Sequence, residues 1–370
     1  MKVKGFFQIL FISYLFLLIS MQAFALDDQN DDIQSFLHRL FAARIQLLVD
    51  KQYQNVQPFY LPTEKLSKLA FEHEKNRTIY MNKWAHARKV KFVNSSGVIR
   101  ITRIKNTGDT ARVSVMQSLQ LTYQYQGQEQ HTMGVGTRHV LTLKKNNGKW
   151  HVLKEWYLDP LDENPGLIPS SKSLQSTDME MVGSAPNQKW RMKYNREKAV
   201  QYADKYAGLA NKTGSNQRYN QKYMDYSFQG GDCTNFTSQV LGDQEEGGGL
   251  PMRPEWKYKY NQGGNTAWVR TDSLKNFLIR SGYGTLIARG TYDQVAKPTK
   301  KFPNTALAEL KPGDVIGYEM KGDIDHFSVV TAQDSKGYIL VNSHTADRYH
   351  VPWDLGWDKN TKFLLFRIGE

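Results

Sequence analysis

Gly230-Gly231-Asp232-Cys233-Thr234-Asn235-Phe236 holds the only cysteine of the chain, at the point where a glycine turn hands over to a helix. A thiolate in the first turn of a helix is stabilised by unpaired backbone N–H groups and by the positive end of the helix dipole. This placement therefore predicts a thiol pKa lowered toward the reactive range. Asp232 stands where it would cap the helix, and Gly230 and Gly231 allow backbone conformations that other residues resist. Cys233, Phe236, Thr237, Val240 and Leu241 also share one helical stripe, so a small core residue is the competing reading.

A cysteine nucleophile needs an imidazole within hydrogen-bond reach, and that imidazole needs an orienting group. Downstream of Cys233 the chain has His326, His344 and His350. His326 follows the turn Lys321-Gly322-Asp323-Ile324-Asp325 and starts the apolar run Phe327-Ser328-Val329-Val330-Thr331, which places it at a strand end beside solvent. Asp334-Ser335-Lys336-Gly337 reads as a hairpin turn, with Tyr338 to His344 as the return strand. Folding about that turn sets His326 opposite His344 to within one residue of register. Alternation puts Asn342 and His344 on one face of the return strand, so both are candidates to orient His326.

Upstream, the chain reads as a separate α+β unit. Ile33, Phe36, Leu37, Leu40, Phe41, Leu47 and Leu48 recur at the helical period, and a second helix is predicted from Pro62 to about Ala87 with Thr63 as its cap. Alternating segments follow at 91–93, 98–104, 111–115, 119–125, 139–143 and 150–156, separated by turn sequences such as Asn94-Ser95-Ser96-Gly97. Helices first and a curved antiparallel sheet after resembles the SnoaL-like cone. Pro160, Pro165, Pro169 and Pro186 mark a linker. The expected division is a signal peptide over 1–25, an accessory domain over 26–158, a linker over 159–189 and a second domain over 190–370. The leader reading rests on Lys2 and Lys4, an apolar stretch from Phe6 to Ser20 and Ala23-Phe24-Ala25 before an acidic segment; the stretch is shorter than the roughly 20 residues a stable span needs.

In the second unit, helix-borne Gly-Asp-Cys-Thr-Asn-Phe-Thr-Ser-Gln, then Leu310-Lys311-Pro312-Gly313-Asp314-Val315-Ile316, Ile324-Asp325-His326-Phe327-Ser328-Val329-Val330 and Ser343-His344-Thr345-Ala346-Asp347-Arg348 resemble, in that order, an amidase domain family of Gram-positive bacteria. That family looks like a branch of the papain-like cell-wall hydrolases, the NlpC and CHAP relatives. The resemblance covers about Tyr194 to Arg367. It implies a papain-like fold, Cys233 as nucleophile, His326 as general base and His344 as the third polar residue, with Asn342 kept open because CHAP relatives use Glu or Asn there. Amide hydrolysis through a thioester follows, with the Cys233 N–H on the oxyanion and no cofactor; acyl transfer to an amine uses the same groups.

A lone cysteine permits no internal disulfide, and the net charge of +13 implies attraction to polyanions. With the leader, this points to an exported, wall-associated protein acting on cell-wall peptide, with anionic wall polymers as partners. No zinc-finger spacing, RNA-recognition signature or basic zipper indicates nucleic acid. Two rivals remain. One is a metal-dependent hydrolase using Asp323, Asp325, His326, His344, Asp347 and His350, although H-E-x-x-H is absent. The other is a non-catalytic wall-binding scaffold. Trp256, Trp268 and Trp353 read as core packing before substrate stacking.

Overall fold

The computed structural model describes residues 30–161, 163–169, 193–211 and 218–369. The leader reading lies outside the described residues, as do residues 170–189 of the expected linker. No helix among the described residues is long and apolar enough to cross a membrane.

The apolar period from Ile33 to Leu48 forms helix α1 (30–50). Helix α2 (Lys65–Ala87) begins three residues later than expected, and Thr63 does not cap it. Four antiparallel strands follow, β1 (Val90–Asn106), β2 (Thr110–Tyr125), β3 (Gln130–Asn146) and β4 (Lys149–Tyr157). The expected turn at Asn94-Ser95-Ser96-Gly97 is absent: β1 runs through it, with a register shift between Phe92 and Asn94 absorbing the irregular sequence. Phe36, Leu37, Leu40 and Phe41 of α1 close over Val113, Val115, Leu141 and Val152 of the sheet. Strand alternation and helical stripe thus meet in one core.

The second half has helices α3 (Arg196–Lys205) and α4 (Cys233–Gly242), a short pair β5 (Tyr258–Lys259) and β6 (Gly263–Gly264), and helices α5 (Thr266–Val269) and α6 (Thr271–Ser281). Strand β7 (Gly284–Thr291), the short helix α7 (Tyr292–Val295) and strands β8 (Val315–Met320), β9 (Asp323–Gln333), β10 (Ile339–Ser343), β11 (Asp347–Pro352) and β12 (Lys362–Ile368) complete it. Trp256, Trp268 and Phe236 pack with Phe327, Val329 and Phe366 on one sheet face, and Tyr318, Val330, Val341 and Trp353 pack on the other. The tryptophans are therefore core, with the Trp256 and Trp268 rings 4.8 Å apart.

The two halves share one ten-stranded sheet in the order β1-β2-β3-β11-β10-β9-β8-β12-β7, with β4 also paired to β3. Strand β3 is long enough to serve two partners on the edge away from β2. Its residues 139–146 pair with β4, while Gly134, Val135 and Gly136 pair with Tyr349, Arg348 and Asp347 of β11. A side chain at either glycine would collide with the turn Gly208–Ala210. An added Cβ would lie 2.2 Å from the Ala210 carbonyl oxygen at Gly134 and 2.3 Å from Leu209 Cβ at Gly136. Buried polar contacts reinforce the seam: Arg88 Nη2 meets Asp354 Oδ2 at 2.6 Å, and Tyr123 and Tyr125 both donate to Asp334. The expected linker is tied down at its start, where Leu161 is fully buried and Arg348 donates to the Pro160 carbonyl.

Gly134→Val is expected to cost about 3 kcal/mol through overpacking at the seam. Gly127→Ala, at a turn with φ of 71° and open space around the added Cβ, is expected to cost about 1 kcal/mol. Denaturant midpoints of the full chain measure both; equal losses would show that the close approach at Gly134 is not tightly packed.

Candidate active site

Gly230 and Gly231 have φ of 105° and 122°, a region closed to ordinary side chains, and they turn the chain into α4. Cys233 is the first residue of that helix and is buried. Asp232 occupies the N-cap position, yet its side chain makes no capping bond. Its Oδ1 instead accepts from the Tyr226 N–H at 2.9 Å and from Asn235 Nδ2 at 2.8 Å, and its Oδ2 lies 2.6 Å from His344 Nδ1. The Asp232 N–H donates to Thr345 Oγ1 at 2.9 Å, and Thr345 holds a left-handed φ of 49°. The segment after β10 is thus fastened to the start of the cysteine helix.

His344 has partners on both ring nitrogens. Nε2 lies 2.6 Å from the Tyr206 carbonyl oxygen, which can only accept, and Nδ1 faces a carboxylate. Both nitrogens face acceptors, an arrangement that favours the doubly protonated imidazolium. Burial alone would push its pKa down; the hydrogen bond and charge of Asp232, with the charge of Asp347 and the Tyr206 carbonyl, outweigh burial and raise it. The ring also stacks on Phe236 of α4, with centroids 4.1 Å apart.

His326 has the opposite character. It is buried, not beside solvent as its place in the sequence suggested, because β9 begins three residues earlier and continues the sheet past it. Its Nε2 is buried without a hydrogen-bond partner. Burial, aided by the positive charges of Arg348 and His344, pushes its pKa down to about 3, so the ring is neutral. His326 pairs with Tyr318 across β8 and lies among Tyr318 and Trp357.

The β9–β10 register pairs Asn342 with Val329, which continues to His344 opposite Phe327, one residue from the expected alignment. One residue changes the face. His344 therefore joins Phe236 on the α4 side, while His326 points with Tyr318 to the other side. Neither Asn342 nor His344 bonds to His326. Asn342 Nδ2 donates to Asp204 at 2.8 Å and its Oδ1 accepts the His350 N–H at 2.7 Å; His350 Nε2 lies 3.0 Å from the same Asp204. Among the described residues no three His, Cys, Asp or Glu side chains are grouped so as to hold a metal ion.

The Cys233 thiol also departs from expectation. Burial pushes its pKa up and the Asp232 charge adds to this, while N–H donation from Phe327 and contacts with Thr234 pull it back only in part. Because the Phe327 N–H reaches the sulfur, Cys233 lies against β9 immediately beside the residue after His326. Sequence reasoning missed the Asp232–His344 pair and the roles of Thr345 and Tyr206. Asp232 and His344 were each visible as residues, but nothing in the spacing showed that they meet.

Residues 193–366 match a family model described as "Putative amidase domain". The matched segment includes Cys233, His326, Asn342 and His344, and the match points to hydrolysis of amides. A protein of Bacillus subtilis strain 168, "Uncharacterized protein YhbB", is 31% identical over 187 residues, covering 47% of this chain. The match spans 50% of that relative's own length. Among solved structures, an NTF2-like protein from Cytophaga hutchinsonii has a TM-score of 0.23 at 14% identity, over 35% of this chain and 96% of that one. A hexachlorocyclohexane dehydrochlorinase has a TM-score of 0.25 at 8% identity, over 35% of this chain and 90% of that one. At such scores neither carries an argument about this chain.

The two histidines predict opposite pH limbs. His326 takes up no proton until about pH 3, while in the unfolded chain it does so near 6.5, so its contribution to stability is lost as pH falls through that window. His344 is raised above 6.5, so its contribution is present below that value and is lost as pH rises through the folded pKa. In denaturant titrations across pH, His326→Phe is expected to flatten the acid limb. His344→Gln is expected to flatten the alkaline limb and to cost about 3 kcal/mol near neutrality by leaving Asp232 buried without its cation.

Proposed function

We propose that the second half of the chain is a cysteine amidase or peptidase of papain-like architecture, with Cys233 as nucleophile and His326 as base. The observation that carries this reading is the position of the lone cysteine. It opens α4 inside the segment matched by the amidase family, with the Phe327 N–H on its sulfur and the neutral imidazole of His326, its Nε2 without a hydrogen-bond partner, one residue along β9. Thiol and imidazole are both neutral at rest because burial penalises either charge alone; proton transfer between them creates two charges that offset one another. The sulfur then attacks the amide carbon. The Asp232 side chain leaves the first-turn N–H groups of α4 uncapped, so the Cys233 N–H is available to the oxyanion. His326 returns the proton to the leaving amine, and water hydrolyses the thioester. His326 points to the sheet face opposite α4, so this transfer requires the ring to be brought to the thiol when substrate binds.

A second assignment has its own supporting observation, since His344 and not His326 lies on the α4 face. Acting as base would require His344 to give up its bond to Asp232 or to Tyr206. In the reading favoured here it holds the N-cap, and Asn342 ties β10 to α3.

The substrate class we favour is a cell-wall peptide amide reached after export, supported by the leader composition and the net charge of +13. Bacterial sacculi digested with wild-type protein and with Cys233→Ala, followed by mass spectrometry, test this. New amine and carboxyl termini should form only with the wild type, and iodoacetamide but not a chelator should abolish them. His326→Ala should lower turnover by about 10²–10⁴-fold; a larger loss in His344→Gln would transfer the base to His344. Full activity in Cys233→Ala would end the cysteine reading. Equal sacculus binding by wild type and Cys233→Ala without cleavage would indicate a scaffold, and products carrying an added amine would indicate acyl transfer.

A further inference from the structure

The N-terminal half lies outside the matched amidase segment, yet one of its side chains reaches both flanks of the cysteine turn. We propose that Arg138 of β3 is a positioning residue of the Cys233 site, clamping the turn before α4 and the segment after β10 into register. Its Nη2 donates to Tyr219 Oη at 2.5 Å, and its Nη1 lies 3.8 Å from Asp347 Oδ2. Its guanidinium also stands 5.8 Å from the ring centroid of Phe228, in the loop that leads into Gly230 and Gly231.

From these contacts two short paths run to Asp232, the residue before the thiol. Tyr219 donates to Asp347, which is fully buried and accepts the Leu209 N–H at 2.8 Å and, at Oδ1, the Thr345 N–H at 3.4 Å. Thr345 in turn accepts the Asp232 N–H. On the second path the Tyr219 ring lies edge-on to His344, 5.0 Å between centroids, and His344 grips the Asp232 carboxylate. The backbone makes the same connection, because Asp347 pairs with Gly136 two residues from Arg138. Arg138 suits this role because a planar guanidinium can engage a phenol, a carboxylate and a ring face at once, which an ammonium cannot do equally well. Its Nε is buried without a partner, so the group is not held there by saturation of its own donors.

This assignment rests on Cys233 being the reactive thiol, so its test has one readout that does not. In the full chain, Arg138→Ala should slow modification of Cys233 by iodoacetamide about tenfold and should broaden or remove the ring N–H proton resonances of His344. Arg138→Lys, or guanidinium added to Arg138→Ala, should restore part of both, while Lys144→Ala on the same strand should change neither. If Arg138→Ala fails to fold, Tyr219→Phe removes one link while keeping the ring and should produce the same two losses. Wild-type rates and resonances in these variants would overturn the proposal. So would losses that track a lower thermal midpoint and that neither lysine nor guanidinium restores. A wild-type Cys233 no faster than a free thiol would defeat the amidase reading, and the His344 resonances would then decide the role of Arg138 alone.

Discussion

The buried ion pair between Asp232 and His344 joins elements that are far apart in the chain. Asp232 ends the glycine turn and begins the cysteine helix; His344 follows β10 at the point where the strand leaves β9. Neither charge is tolerable alone in the core, so each requires the other. The Tyr206 carbonyl fixes the far side of the imidazolium, which adds the end of α3 to the same junction. Three elements are thereby aligned around the thiol, and the carboxylate that does this is unavailable as a helix cap. The uncapped N–H groups at the head of α4 are a direct consequence.

A second constraint lies at the seam between the halves. Strand β3 has its far half paired with β4 and its near half with β11, so the sheet of the N-terminal half continues into that of the C-terminal half. Apolar burial follows the same route, since Val351 and Leu355 pack in one cluster with Trp84, Leu121 and Val135. Packing of this kind makes the relative placement of the halves part of the fold. The segment from His344 to Arg348, which would otherwise end in a free strand edge, is held by a neighbour from the other half.

Much of this architecture could be read in the residues. The helical stripe of α1, the Asp334–Gly337 hairpin and the packing role of the tryptophans all follow from local period and turn chemistry. Strand ends were less legible, because Asn94 to Gly97 has turn composition while its neighbours on β2 keep it paired. The largest differences concern polar groups. A one-residue shift in the β9–β10 register sent the two histidines to opposite faces. Asn342 was drawn to Asp204 and His350, partners that sequence spacing cannot rank. The thiol was expected to be acidified by its helix position, and burial against β9 reversed that direction.

What the sequence determined by itself was the inventory and its local placement: one cysteine at the head of a helix, one histidine on the first strand of a hairpin and another at the end of its return strand, and an α+β unit before them. These depend on interactions within a few residues, which composition and period report directly. What only the tertiary structure decided was which groups meet: Asp232 with His344, Asn342 with Asp204, and Arg138 with Tyr219 and Asp347. Those contacts depend on strand register and on the continuation of β3 into β11. Both are set by long-range packing, where a shift of one residue exchanges the two faces of a strand.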